Sequence, residues 1–205
     1  AAQMAGIGNV SAENINGFQM ASITNVTTEH ISGFQFAGIT NVALKGVTGL
    51  QFSLVNVAGD SNLAQMGLFN VTGKSGGLQF GLFNFAEDID VPIGIFSYVK
   101  NGLLHFYTWG GDTTYANIGI KSGSKYVYSI LQGGLRPVKN NTFVTAGGGF
   151  GGHIPLYEKL LYLELDLTAN MVYATASSEW TNDVNMITQA RILFGAQFFK
   201  NFGIF

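Results

Sequence analysis

The chain reads as an all-β protein in two parts: a solenoid-like array of short β-repeats over residues 1–90, then antiparallel strands of the outer-membrane barrel type over 91–205. Three observations predict this. A Gln and an Asn recur together six times across the first half. Beyond Tyr98 the strand patterns lengthen and alternate strictly between apolar and polar residues. The composition is dry: 11% charged, 47% hydrophobic, and 28 glycines in 205 residues. A typical soluble domain carries roughly 25% charged residues.

In the repeats, Gln3, Gln19, Gln35, Gln51, Gln65 and Gln79 follow one another at steps of 16, 16, 16, 14 and 14, with Asn9, Asn25, Asn41, Asn56, Asn70 and Asn84 in step behind them. Glycines disfavour a helix here, and β-branched and aromatic residues favour a strand. Alternation puts Leu78, Phe80 and Leu82 on one face, with Gln79, Gly81 and Phe83 on the other. Both faces are largely apolar, so cover on both sides is expected. All eight charged residues before position 91 (Glu13, Glu29, Lys45, Asp60, Lys74, Glu87, Asp88, Asp90) lie in connectors, so dry strands alternate with wet turns. Ile15, Ile31 and Val47 add an apolar beat four residues before Gln. A degenerate seventh unit begins at Pro92, which stands where Gln is due; proline suits an edge or the end of an array.

Two architectures carry this pattern. In a β-solenoid each unit is one coil, and Gln19, Gln35 and Gln51, like Asn25, Asn41 and Asn56, stack as amide ladders. In a hairpin array each unit gives part of an antiparallel sheet. The solenoid is favoured because six or seven residues are too few to cross a bilayer, which takes about 9–11. The shrinking repeat then reads as a tapering coil.

In the second part, weaker strand patterns cover Leu103–Gly110, Tyr115–Gly123, Tyr126–Gly134 and Thr142–Gly151, giving seven or eight strands counted from Val91. The strongest spans Leu160–Tyr173, with Leu161, Leu163, Leu165, Leu167, Ala169, Met171 and Tyr173 on one parity and Tyr162, Glu164, Asp166, Thr168 and Asn170 on the other. That length suits a tilted strand with lipid outside and a polar lumen inside. A following strand sets Gln189 and Arg191 on the polar parity. Pairing through a loop at Ala174–Asn185 would place Asn170 near Gln189 and Thr168 near Arg191, with Asp166 and Glu164 in diagonal reach. Glu164, Asp166, Arg191, Gln189 and Asn170 are thus the expected lumen cluster. Tyr98, Tyr107, Trp109, Tyr126, Tyr128, Tyr157, Tyr162, Tyr173 and Trp180 fall near strand ends, as interfacial girdles do.

The units Gly77-Leu78-Gln79-Phe80-Gly81-Leu82-Phe83-Asn84, followed by Pro92-Ile93-Gly94-Ile95-Phe96-Ser97-Tyr98 and Tyr115-Ala116-Asn117, resemble bacterial surface-repeat-containing proteins of the outer membrane. The resemblance implies a Gram-negative outer-membrane or cell-surface setting. It transfers no catalytic role to any residue.

Chemistry is sparse. Ten Lys and Arg against twelve Asp and Glu leave no basic surface for nucleic acid. The absence of cysteine excludes disulfides, thiol catalysis and cysteine-ligated zinc. There is no apolar run long enough for a membrane helix and no signal peptide; the start at Ala1 suits a mature or trimmed chain. Gly147–Gly152 lacks the Lys-Ser/Thr of a phosphate loop and reads as a glycine-rich strand. His30, His105 and His153 have no ligand spacing, so no metal or cofactor is expected. Of four Asn-x-Ser/Thr sequons, at Asn9, Asn25, Asn70 and Asn140, the first three are repeat positions, and repetition explains them without a sugar. The expected function is non-enzymatic, structural or adhesive, or accessory to a membrane assembly. Its partners are then outer-membrane lipid and other proteins of that assembly. The alternatives are a small channel lined by Glu164, Asp166 and Arg191, and a membrane-embedded hydrolase pairing His153 with Ser177, Ser178 or Glu164.

Overall fold

The computed structural model describes residues 2–139, 141–157, 160–175, 185–199 and 202–204. It is all-β, and the chain divides into two compact units: Ala1–Leu103 with Gly123–Lys125, and Leu104–Ser122 with Tyr126–Phe205. Among the described residues, no helix is long and apolar enough to cross a membrane.

The first unit is a parallel β-solenoid of about seven turns. Its strands are β1 (Ala2–Ala5), β2 (Gly8–Ser11), β3 (Ile15–Ala21), β4 (Thr24–Thr27), β5 (His30–Ala37), β6 (Thr40–Ala43), β7 (Gly46–Phe52), β8 (Val55–Ala58), β9 (Ala64–Met66), β10 (Phe69–Phe80), β11 (Phe83–Ile93) and β12 (Phe96–Val99). Every ladder is parallel, with Gln on Gln and Asn on Asn, so the hairpin alternative falls. Residues 91–99, which the division at position 90 places with the antiparallel region, complete the last turn as the degenerate seventh unit beginning at Pro92 leads one to expect: Phe83 pairs with Phe96 and Asn84 with Ser97.

Side chains alternate in and out of the coil. Gln19, Ala21, Asn25 and Thr27 are buried, whereas Phe18, Met20 and Ile23 are exposed. The interior is completed by Ile15, Ile31, Val47, Ala43 and Ala58. The shortening from 16 to 14 removes one residue from each side of the coil. Gln19 to Asn25 is six positions and Gln51 to Asn56 five; Asn41 to Gln51 is ten and Asn56 to Gln65 nine. The amide registers survive because both deletions fall at bends. At Gly17, Gly33 and Gly49 the strand passes through positive φ of 136–147°. A Cβ on Gly33 would lie 1.8 Å from the Gly17 carbonyl oxygen, so only glycine permits that stacking.

Among the described residues, only one face of the solenoid strands is covered, against the expected cover on both. At the bend between the Gln and Asn strands, an aliphatic residue points outward on every turn: Ile7, Ile23, Ile39, Leu54, Leu68, Leu82 and Ile95, each at least 40% exposed. We call this row the keel. Exposed Phe34, Phe52 and Phe80 flank it, and the charged residues lie away from it; Glu13, Glu29, Lys45 and Asp60 are in connectors as expected, whereas Lys74, Glu87, Asp88 and Asp90 fall within the long strands β10 and β11.

The second unit contains a seven-stranded sheet in sequential order: β13 (Leu103–Trp109), β14 (Ala116–Gly123), β15 (Val127–Val138), β16 (Asn141–Tyr157), β17 (Leu161–Ala174), β18 (Met186–Phe199) and β19 (Phe202–Ile204). The ladders from β15 to β19 are antiparallel. Leu165, Leu167, Ile192 and Phe194 on its outer face are 45–71% exposed. The opposite parity is buried and polar.

Candidate functional site

The polar interior of the second unit is built by curvature. Lys121 on β14 and Glu164 on β17 stand three ladder steps apart, roughly 14 Å on a flat sheet with strands about 4.8 Å apart. Their side chains meet at 2.6 Å. Arg191 on β18 reaches the Tyr107 hydroxyl on β13, five steps away, at 3.4 Å. The sheet is therefore tightly coiled, and side chains from distant strands meet on its inner face.

Glycines permit this. On the inner face, a Cβ at Gly151 would lie 2.2 Å from the Tyr128 ring, one at Gly119 2.5 Å from the Tyr107 ring, and one at Gly195 2.2 Å from the Tyr162 ring. Small residues oppose large aromatics, which is how narrow barrels fill their interiors. The Gly147–Gly152 stretch lies within the long β16 strand and forms no phosphate loop.

Four charges meet here. Lys121 Nζ lies 2.6 Å from Glu164 Oε2 and 3.0 Å from Asp166 Oδ2, and Arg191 Nη2 lies 3.1 Å from the same Asp166 oxygen. Two cations balance two carboxylates, and Lys121, Glu164 and Asp166 are each at most 3% exposed. Burial of charge is tolerable only with such pairing and added hydrogen bonds. Tyr128 OH donates to Asp166 Oδ1 at 2.7 Å. Gln132 accepts from Arg191 at 3.0 Å and donates to Asn170 Oδ1 at 2.8 Å and Thr168 Oγ1 at 3.2 Å. The ammonium of Lys121 also sits about 5 Å from the ring centroids of both Tyr107 and Tyr128.

All five expected lumen residues lie on this inner face, in a different register from that expected. Asp166 stands directly opposite Arg191, Thr168 opposite Gln189, and Asn170 opposite Ile187. The observed pairing is shifted by two residues from the expected one, so the Asp166–Arg191 pair is direct rather than diagonal. Asn170 still reaches Gln189 Oε1 diagonally, at 3.4 Å. The expected aromatic girdle also needs correction: Tyr107, Tyr128 and Tyr162 are buried inside the sheet, because a narrow interior needs large side chains to fill it. Trp180 lies outside the described residues, as do Ser177 and Ser178.

Sequence reasoning missed the hub, Lys121, and its partners Tyr128 and Gln132. Parity put Lys121 on the polar face of its strand, but nothing local tied it to carboxylates 43 and 45 positions away. Of the pairings the hydrolase reading needs, the structure brings together His153 and Glu164; Ser177 and Ser178 lie outside the described residues. His153 Nδ1 lies 3.1 Å from Glu164 Oε1 and its ring packs against Tyr162. Glu164 is itself neutralised by Lys121, so the pair reads as part of the plug. Among the described residues, no group of three His, Asp or Glu side chains is placed to hold a metal ion.

In the first unit the amides form two continuous columns. Gln35 Nε2 donates to Gln19 Oε1 and Gln51 Nε2 to Gln35 Oε1, both at 2.7 Å. Asn25 Nδ2 donates to Asn41 Oδ1 at 3.0 Å, and Asn41 Nδ2 to Asn56 Oδ1 at 3.2 Å. The Gln column ends at Gln79, whose Oε1 is buried without a partner because Pro92 takes the next place.

The class these features define is a two-part β-protein: an amide-laddered parallel solenoid with a separate coiled antiparallel sheet whose interior is an ion-pair network. No family model, curated protein or solved structure matches the chain.

Proposed function

We propose that the chain is a non-enzymatic outer-membrane or cell-surface protein, in which the coiled sheet closes as a lipid-embedded barrel and the solenoid is a structural or adhesive module. The observation that carries this reading is the inverted polarity of the sheet. Its charged groups are inside, and Leu165, Leu167, Ile192 and Phe194 lie bare outside. In water that arrangement forfeits the burial of apolar surface, at about 25 cal/mol per Å². In a bilayer it is the stable one, since lipid solvates the outer face and the inner charges satisfy one another. Among the described residues, the inner face is occupied by paired charges and large side chains. A cavity of about 10 Å³, lined by Asn117, Gln132, Thr145, Asn170 and Gln189, has the size of a single water. That favours a structural or accessory role over conduction.

The test is extraction and mobility. The full chain should require detergent for solubilisation, and its band should shift on boiling in dodecyl sulfate, as closed barrels do. A chain that stays in aqueous buffer and shows one mobility, boiled or unboiled, overturns the reading.

A further inference from the structure

We propose that the solenoid is itself a membrane-contacting element, lying with its axis in the bilayer plane and its keel immersed in the acyl chains. The inference stands on the first unit alone and goes beyond the barrel reading.

The first observation is the keel. Seven outward aliphatics repeat on seven turns without a polar residue among them, at a rise of about 4.8 Å per turn. Bare apolar surface of that extent marks a partner or a membrane. A row of nearly equivalent Ile and Leu has no distinctive shape for a protein to read, and it suits a fluid, uncharged partner.

The second observation concerns the backbone at the bend. Loops are normally excluded from hydrocarbon because their N–H and C=O groups need water. Here they do not. The amide of Ile39 donates to the Ile23 carbonyl at 3.0 Å, that of Val55 to Ile39 at 2.8 Å, and that of Leu68 to Leu54 at 2.9 Å. The carbonyls just before the bend are satisfied from inside by the Asn column. Asn25 Nδ2 donates to Phe36 O at 2.8 Å, Asn41 Nδ2 to Phe52 O at 3.0 Å, and Asn56 Nδ2 to Met66 O at 2.8 Å. In water a bend needs no such supply, whereas in lipid it is a requirement. The Asn ladder is thus what makes this edge compatible with hydrocarbon.

The third observation sets the orientation. Lys45 and Asp60 lie in connectors of middle turns away from the keel, and Lys74, within β10, stacks over Asp60 on the same side. An axis along the membrane normal would carry them through the hydrocarbon core. An axis in the plane keeps every charge on the water side while each keel residue reaches the same depth, the arrangement of an interfacial amphipathic element.

The chain has no cysteine, so single-site spin labels are clean. Ile23→Cys, Leu54→Cys and Leu82→Cys would be labelled in the full chain, with Ser32→Cys for the wet side and Leu167→Cys for the coiled sheet, in phosphatidylethanolamine–phosphatidylglycerol vesicles. The three keel labels should collide more with oxygen than with a water-soluble nickel chelate, at one common depth, and Ser32→Cys should show the reverse. Keel labels open to nickel, or shielded from both reagents by a protein or a second copy, overturn the proposal, and so does a depth that changes from Ile23 to Leu82. The Leu167→Cys label reports separately: in lipid with a wet keel, only this inference fails; in water with a lipid-bound keel, only the barrel reading fails.

Discussion

At the scale of single residues, Lys121 decides the interior of the coiled sheet. It is the one cation in contact with both Glu164 and Asp166 among the described residues, whereas Arg191 touches only Asp166 of the two. Lys121→Met would leave two buried carboxylates facing one another, with Arg191 beside one of them and His153 beside the other. Breaking a buried pair in this way costs about 3–5 kcal/mol. Arg191→Met should cost less, because Asp166 keeps Lys121 and the Tyr128 hydroxyl. The measurement is urea unfolding in detergent, followed by circular dichroism. Adding Glu164→Gln to Lys121→Met should recover part of the loss, giving a non-additive cycle. A larger loss for Arg191→Met than for Lys121→Met would remove Lys121 from the centre of the network.

At the scale of elements, the Gln ladder behaves as a column with one unfinished end. Gln51 donates to Gln35 and accepts from Gln65, at 2.7 and 2.8 Å, whereas Gln79 donates to Gln65 but its own oxygen meets no donor. Gln51→Met strands two buried amide groups and should cost about 1–3 kcal/mol; Gln79→Met strands one and should cost less. Equal losses in denaturant melts would mean that the ladder contributes no position-dependent stability. This column was legible in the sequence because a solenoid turns a fixed spacing directly into a stack, Gln19 on Gln35 on Gln51. Even its end was legible, in Pro92. The coiled sheet was legible only in parity. Leu165 out and Asp166 in follow from alternation within one strand, but Asp166 opposite Arg191 depends on the length of the connector between strands. Lys121 against Glu164 depends on curvature, which resides in inner-face glycines such as Gly151 and Gly119 rather than in any local pattern.

At the scale of the molecule, both units share a feature: many of the buried side chains are polar and satisfy one another, while large aliphatic side chains such as Ile39 and Leu167 face out. Such an interior spends its hydrogen bonds and charges on cohesion, which bears on whether the proposed barrel would conduct. Arg191 is the natural candidate for a gate, since its guanidinium lies between Asp166, Gln132 and the Trp109 ring. Yet the interior is blocked redundantly. Lys121 sits between the Tyr107 and Tyr128 rings, Tyr128 is fully buried, and Gln132 bridges to Asn170 and Thr168. Removing one guanidinium leaves those side chains in place, and the remaining partners of Asp166 keep it bound. Arg191→Ala should therefore show the same closed baseline as the unmodified chain in planar bilayers, across the voltages where porins conduct. Stable unitary steps in the variant would identify Arg191 as a gate and restore the channel reading. Steps already present in the unmodified chain would show that a continuous wet path exists, and the ion-pair network would then have to line that path rather than fill it.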